Sequence, residues 1–118
     1  MTDAAMAQWY AEAGPQLEPV VETLGLLARA SRGPIRSAST DQIAAAVRQF
    51  NAWIQEHPCP NGHMGASLID NLTAVLLLCL GFDQIVATVG PMDAEIQVLG
   101  IQAQFAETVQ LMQEQARG

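Results

Sequence analysis

Residues 72–82 read LTAVLLLCLGF, the longest apolar run in the chain, with Asp70 and Asn71 just before it and Asp83 just after. The run is about half the ~20 residues needed to cross a bilayer, so a core helix is expected and no membrane span. Leu72, Val75, Leu76, Leu78, Cys79 and Leu80 occupy nearly every face of such a helix. A helix apolar all round must be surrounded, by its own bundle or by a partner subunit. Ser67-Leu-Ile-Asp70 has the spacing of a capped start, and Gly81 is placed to kink or break the helix, with Asp83 restarting a short one through Val89.

The flanking segments carry helix punctuation. Downstream, Gly90-Pro91 opens a last helix with Asp93 and Glu95 in its first turn, where the dipole favours acids. Within it Val98, Ile101, Phe105, Val109 and Met112 recur at helical spacing, and Ile96, Leu99, Ala103 and Ala106 form a second row beside them. Upstream, Ser39-Thr-Asp-Gln42 matches a capping box, and Ile43, Val47, Phe50 and Ile54 run 4, 3, 4 toward a stop before Pro58. Further upstream a helix is expected from Pro19 to Gly33-Pro34, carrying Leu17, Val21, Leu24 and Ala28. Gly14-Pro15 separates it from a short first helix over residues 3–13. Alternation long enough for a strand is absent, and no repeat recurs at solenoid periods.

One domain over residues 1–118 is therefore expected, an all-α bundle of four to five helices with the 68–80 helix central. Half of the residues are hydrophobic and only 14% are charged, against about 25% in an ordinary domain, which excludes global disorder. The apolar supply is generous for this length. Self-association is therefore expected, with Trp9, Tyr10, Trp53, Val98, Ile101 and Phe105 as candidate interface residues. The competing reading is that the aromatic residues fill the end of the bundle.

Charge narrows the partners. Five arginines, no lysine and twelve acids give −7, which makes a nucleic-acid partner improbable because affinity there comes mostly from neutralising phosphates. Arg29, Arg32, Arg36 and Arg48 form a basic stretch opposed only by Asp41, and the first two suit the C-terminal end of a helix. The N-terminus lacks the basic and apolar regions of a secretory peptide, so a cytoplasmic location with reduced cysteines is the expectation.

Only residues 57–65, HPCPNGHMG, gather side chains suited to chemistry. Imidazole and thiolate suit zinc, and thioether with thiolate suits copper(I), making His57, Cys59 and His63 candidate ligands. Yet H-x-C-x3-H is not a familiar zinc spacing, and a plain interhelical turn is the simpler reading. A Cys59–Cys79 disulfide would demand that the chain fold back, since bridged Cα atoms lie within about 7 Å. His57 with Cys59 lacks a visible oxyanion donor set, and GxGxxG, GxxxxGK[ST], HExxH and GxSxG are all absent. Two functions survive. The first is a non-enzymatic interaction module that pairs with its own copy or another helical protein. The second is a small ligand- or metal-responsive bundle using the His57–Met64 loop.

Overall fold

The apolar stripes resolve into five helices: α1 (Asp3–Ala30), α2 (Ser37–Glu56), α3 (Gly62–Leu80), the short α4 (Phe82–Val89) and α5 (Pro91–Arg117). The computed structural model describes residues 3–30 and 37–117, with side chains from 4 to 28 and from 40 to 117. Among the described residues there is no strand. The expected cap at Ser39 is corrected, because α2 is already helical from Ser37 and Ser39 lies within it. Expectations resting on Gly33-Pro34 and on the side chains of Arg29, Arg32 and Arg36 lie outside the described residues.

Four long helices run up-down-up-down. Gln102 on α5 donates to the Val21 carbonyl on α1 and Gln113 donates to Glu18, so these two helices are antiparallel. Asn71 on α3 donates to Thr108 on α5, and Asn61, just before α3, donates to Gln115. Around the ring the neighbours are α1 with α2, α2 with α3, α3 with α5, and α5 with α1, the last pairing being the most extensive. The 48 Å long axis is close to the ~42 Å of a 28-residue helix, so α1 and α5 set the length of the bundle.

α1 is continuous, which corrects the expected break at Gly14-Pro15. Pro15 and Pro19 both lie inside it. Each deprives a carbonyl one turn back of its donor, at a cost of roughly 3 kcal/mol. Both prolines are exposed, whereas Met6, Trp9, Ala13, Leu17, Val20, Leu24 and Leu27 form one unbroken buried row across them. Burying such side chains at ~1.5–3 kcal/mol each outweighs the two lost bonds. Spacing of four from Ala13 to Leu17 was the signal that one helix passes through.

The start of α3 is a further correction. Asn61 is its N-cap, with the side-chain oxygen accepting from Met64 N at 3.1 Å, so Ser67 and Asp70 lie within the helix rather than at its cap. Gly65 permits this start. A Cβ there would stand 3.0 Å from the Cys59 Cβ, so any larger residue would push the 57–61 turn away from the first turn of α3 by a few tenths of an ångström. The break at Gly81 and the restart as α4 are as expected, and Gly90, at φ +90°, turns the chain into α5.

α3 contributes Leu68, Leu72, Val75, Leu78 and Cys79 to the core between α2 and α5. By length and composition α3 is long and apolar enough to cross a membrane. In the bundle its enclosure is one-sided. Leu77 and Leu80 remain 64% and 61% exposed, and Ile69 is exposed below them.

Candidate functional site

Two features stand out beside the core: an aromatic cleft where α1, the end of α2 and the 57–61 turn meet, and aliphatic rows left open toward the other end. Trp9 and Trp53 sit in the cleft because each lies at the edge of the buried stripe of its helix. Trp9 donates its indole N–H to the His57 carbonyl at 2.7 Å, tying α1 to the residue that ends α2. Trp53 lies 5.7 Å from Trp9 and 5.5 Å from Phe50, centroid to centroid, in tilted contacts. His57 stacks on Trp53 at 4.7 Å with the planes 8° apart, and its Nδ1 lies 3.0 Å from the Trp53 carbonyl. A carbonyl only accepts, so Nδ1 carries a proton in this contact. Ala5, Gln8, Trp9, Glu12, Trp53, His57 and Pro60 line a cleft of about 310 Å³.

The sequence-selected metal ligands are not drawn together. His57 is stacked on Trp53, Cys59 donates its thiol to Met6 Sδ at 3.8 Å, and His63 is exposed in the first turn of α3. Among the described residues no three His, Cys, Asp or Glu side chains converge as a metal site. Cys59 and Cys79 are both free thiols, which corrects the disulfide alternative. Burial raises the pKa of both, that of Cys79 to about 11; for Cys59 a hydrogen bond from the Asn61 backbone works in the opposite direction.

The interface candidates divide. Trp9, Val98 and Phe105 are buried in the bundle itself, while Tyr10, Trp53 and Ile101 are half-buried against the same core, so this set is mainly internal packing. Tyr10 donates to Glu18 at 3.1 Å; burial, aided by that carboxylate, pushes its phenol up to about 12. Of the two rows on α5, Ala94, Val98, Phe105, Val109 and Met112 face inward. The second row faces out, with Met92 66%, Ile96 65% and Leu99 46% exposed.

That outer row has a regular period. Positions 92, 96, 99, 103, 106, 110, 113 and 117 follow one another at 4, 3, 4, 3, 4, 3, 4, the seam spacing of a coiled coil. Ala106, Gln110, Gln113 and Arg117 line an open groove with Glu18, Val21 and Glu22 of α1, which places the seam on the α1 flank of α5. From Met92 to Ala106 the seam is uncharged, and beyond it turns polar. The α3 row lies elsewhere. Ile69 lines a groove with Ile54 and Gln55 of α2, and Leu77 and Leu80 continue from it at helical spacing, on the opposite face of the ring.

No family model matches the chain, and the searches of curated proteins and of solved structures likewise found no match.

Proposed function

We propose that the protein is a non-enzymatic helical interaction module that pairs with a second copy of itself through the Met92–Ile96–Leu99–Ala103 seam of α5. The observation that carries this reading is the seam: an exposed, uncharged row with a 3.5-residue repeat on a helix whose other apolar row is already buried. The own copy is favoured because the seam is self-complementary, apolar and uncharged on both sides of a two-fold contact. With a net charge of −7, two copies repel over most of their surface, and the neutral seam is where they meet at least cost. A neutral seam also offers no charge with which to select a different partner. Salt screens the repulsion, so pairing should strengthen as ionic strength rises, opposite to the behaviour of a basic partner attracted by the acidic surface.

The test is molar mass by light scattering over about a hundredfold dilution, at low and high salt, for the wild type and two variants. Ile96→Asp puts a charge into the seam near the N-terminus of α5, where the dipole tolerates it, and is expected to be monomeric with an unchanged helical spectrum. Leu77→Asp, on the opposite face, is expected to pair as the wild type does. A wild type monomeric at every concentration, or pairing lost with Leu77→Asp and kept with Ile96→Asp, refutes the reading.

A further inference from the structure

We propose that the outer face of α3 is a second contact between copies of this chain, an antiparallel two-fold packing in which Leu80 of each copy enters a hole on the other. Exposed positions 66, 69, 73, 77 and 80 of α3 are Ala, Ile, Thr, Leu and Leu, spaced 3, 4, 4 and 3. That spacing is the same read in either direction. A two-fold axis at Thr73 therefore sets Leu77 opposite Ile69 and the large Leu80 opposite the small Ala66. The hole is already built. Gly62, Gly65, Ala66 and Ile69 stand at i, i+3, i+4 and i+7, the four corners that receive a knob when helices pack. All four line one groove of about 330 Å³, walled by Ile54 and Pro58, and a Cβ placed on Gly62 would meet nothing within 4 Å. The middle of this hole and Leu80 lie equally far from Thr73, about 11 Å each way along the helix. A second copy carries knob and hole at the same separation, which is what selects it as the occupant.

Covering this face strands no polar group of the row. Thr73, its one polar side chain, already donates to the Ile69 carbonyl at 2.9 Å. Asp70 is the only formally charged residue of α3, and it lies beside the row in a separate groove with Ser67 and Glu107. Antiparallel packing brings like edges together, so the two Asp70 carboxylates repel across the axis. The contact is accordingly weaker than the α5 seam and forms at higher protein concentration. Because the two rows occupy opposite faces of the ring, pairs made at α5 keep free α3 faces and join into open chains instead of closing.

The proposal does not rest on pairing at α5, and its test is made with that seam silenced. Molar mass of Ile96→Asp is measured by light scattering above the concentrations at which wild-type pairing through α5 is complete, with the helical spectrum checking the fold. It is expected to rise from the 12.6 kDa of one chain to twice that value. Leu77→Asp added to Ile96→Asp should abolish the rise. Gly62→Leu, added instead, makes the face more apolar but fills the hole, and the open space above Gly62 accommodates it in the single chain. It is expected to weaken this pairing by about tenfold or more. An Ile96→Asp chain that stays monomeric throughout overturns the proposal. So does a pair that Gly62→Leu leaves intact or strengthens, since association would then follow apolar area alone. Failure of the α5 reading shows separately: Leu77→Asp alone would be monomeric, with the α3 pair still present in Ile96→Asp.

Discussion

At one end of the bundle Trp9, Phe50, Trp53 and His57 pack ring against ring, and toward the other end Leu77, Leu80, Met92, Ile96 and Leu99 turn aliphatic side chains to solvent. The first end is tied across elements: Trp9 to the His57 carbonyl, Asn61 to Gln115, and Cys59 to Met6. The second is held by local backbone bonds, from Gly81 to Leu77, Ile85 to Gly81, Gly90 to Val86 and Ala94 to Gly90, over the buried Phe82, Ala94 and Val98. Both ends carry large apolar side chains at the edges of their helical stripes. What differs is whether the side chains at the edge of each stripe carry a polar handle that another helix can hold. An indole at a stripe edge buries its ring and donates its N–H, so it closes the bundle. A leucine or isoleucine at the same kind of edge has nothing to donate and stays exposed.

The largest effect expected from this contrast is on stability. Trp9→Ala removes a buried ring, its edge contact with Phe50 and the donor on the His57 carbonyl, and should cost about 3–5 kcal/mol. Ile96→Ala, compared with the wild type at a protein concentration low enough to keep both monomeric, should stay within about 0.5 kcal/mol because its side chain is mostly in water. Urea unfolding followed by circular dichroism measures both. Equal losses would mean that the aliphatic row is integral to the monomer fold, and the contrast between the ends would fail.

Much of this architecture was legible in the sequence, because burial follows period. Ile43, Val47, Phe50 and Ile54 on α2 all face the core as their 4, 3, 4 spacing requires, and the Gly81 and Gly90-Pro91 breaks fall where glycine and proline place them. Two readings failed for a common reason: local punctuation was weighed without the packing that overrides it. Pro15 and Pro19 are helix breakers in isolation, yet the row from Met6 to Leu27 runs straight past them on the other face. Asn61 was hidden as a cap by the glycines and prolines around it. For the candidate site, the sequence marked Trp9, Trp53 and His57 as unusual but did not show that they would form one wall, since that depends on α1 and α2 being antiparallel. It also presented two apolar rows on α5 without revealing which faces inward. That choice is made by α1 and α3, which cover Val98 and Phe105 and leave Ile96 and Leu99 outside.

A smaller effect should come from Tyr10, beside the aromatic end. Its phenol is held protonated up to about 12 in the folded chain, against about 10 when unfolded. The unfolded state therefore loses the proton first, so the stabilisation is complete below pH ~10 and disappears as pH rises from there to ~12. Because the ring is only half-buried, screening reduces the contribution to about 1 kcal/mol. Tyr10→Phe should flatten that part of the alkaline decline, read from urea midpoints near pH 9 and pH 11.5. Cys79, pushed up to about 11, produces a decline of the same sign from pH ~9 that Tyr10→Phe leaves in place. An alkaline limb identical in the two proteins would show that the phenol does not sense folding.

The mildest probe leaves every side chain in place and asks how often each end opens. Cys59 is half-buried by the aromatic cleft, and Cys79 is buried in the last turns of α3, near the aliphatic rows. Thiolate is the reactive form, and a thiol pushed up to about 11 holds about a hundredfold less of it at neutral pH than one at the ordinary value of about 9. In the closed state, then, a neutral alkylating reagent should modify Cys59 first and leave Cys79 nearly untouched. Cys79 reacts through openings of the α3–α4 corner, so its rate measures the free energy of that opening, and mass spectrometry of the two peptides separates the sites. Pairing through the α5 seam should slow Cys79 further as protein concentration rises, because α4 packs on the N-terminal part of α5, and it should leave Cys59 unaffected. If Cys79 were labelled as fast as Cys59 in the wild type at high concentration, the aliphatic end would be fraying rather than docked. The division of labour between a sealed aromatic end and a recruiting aliphatic one would then be lost.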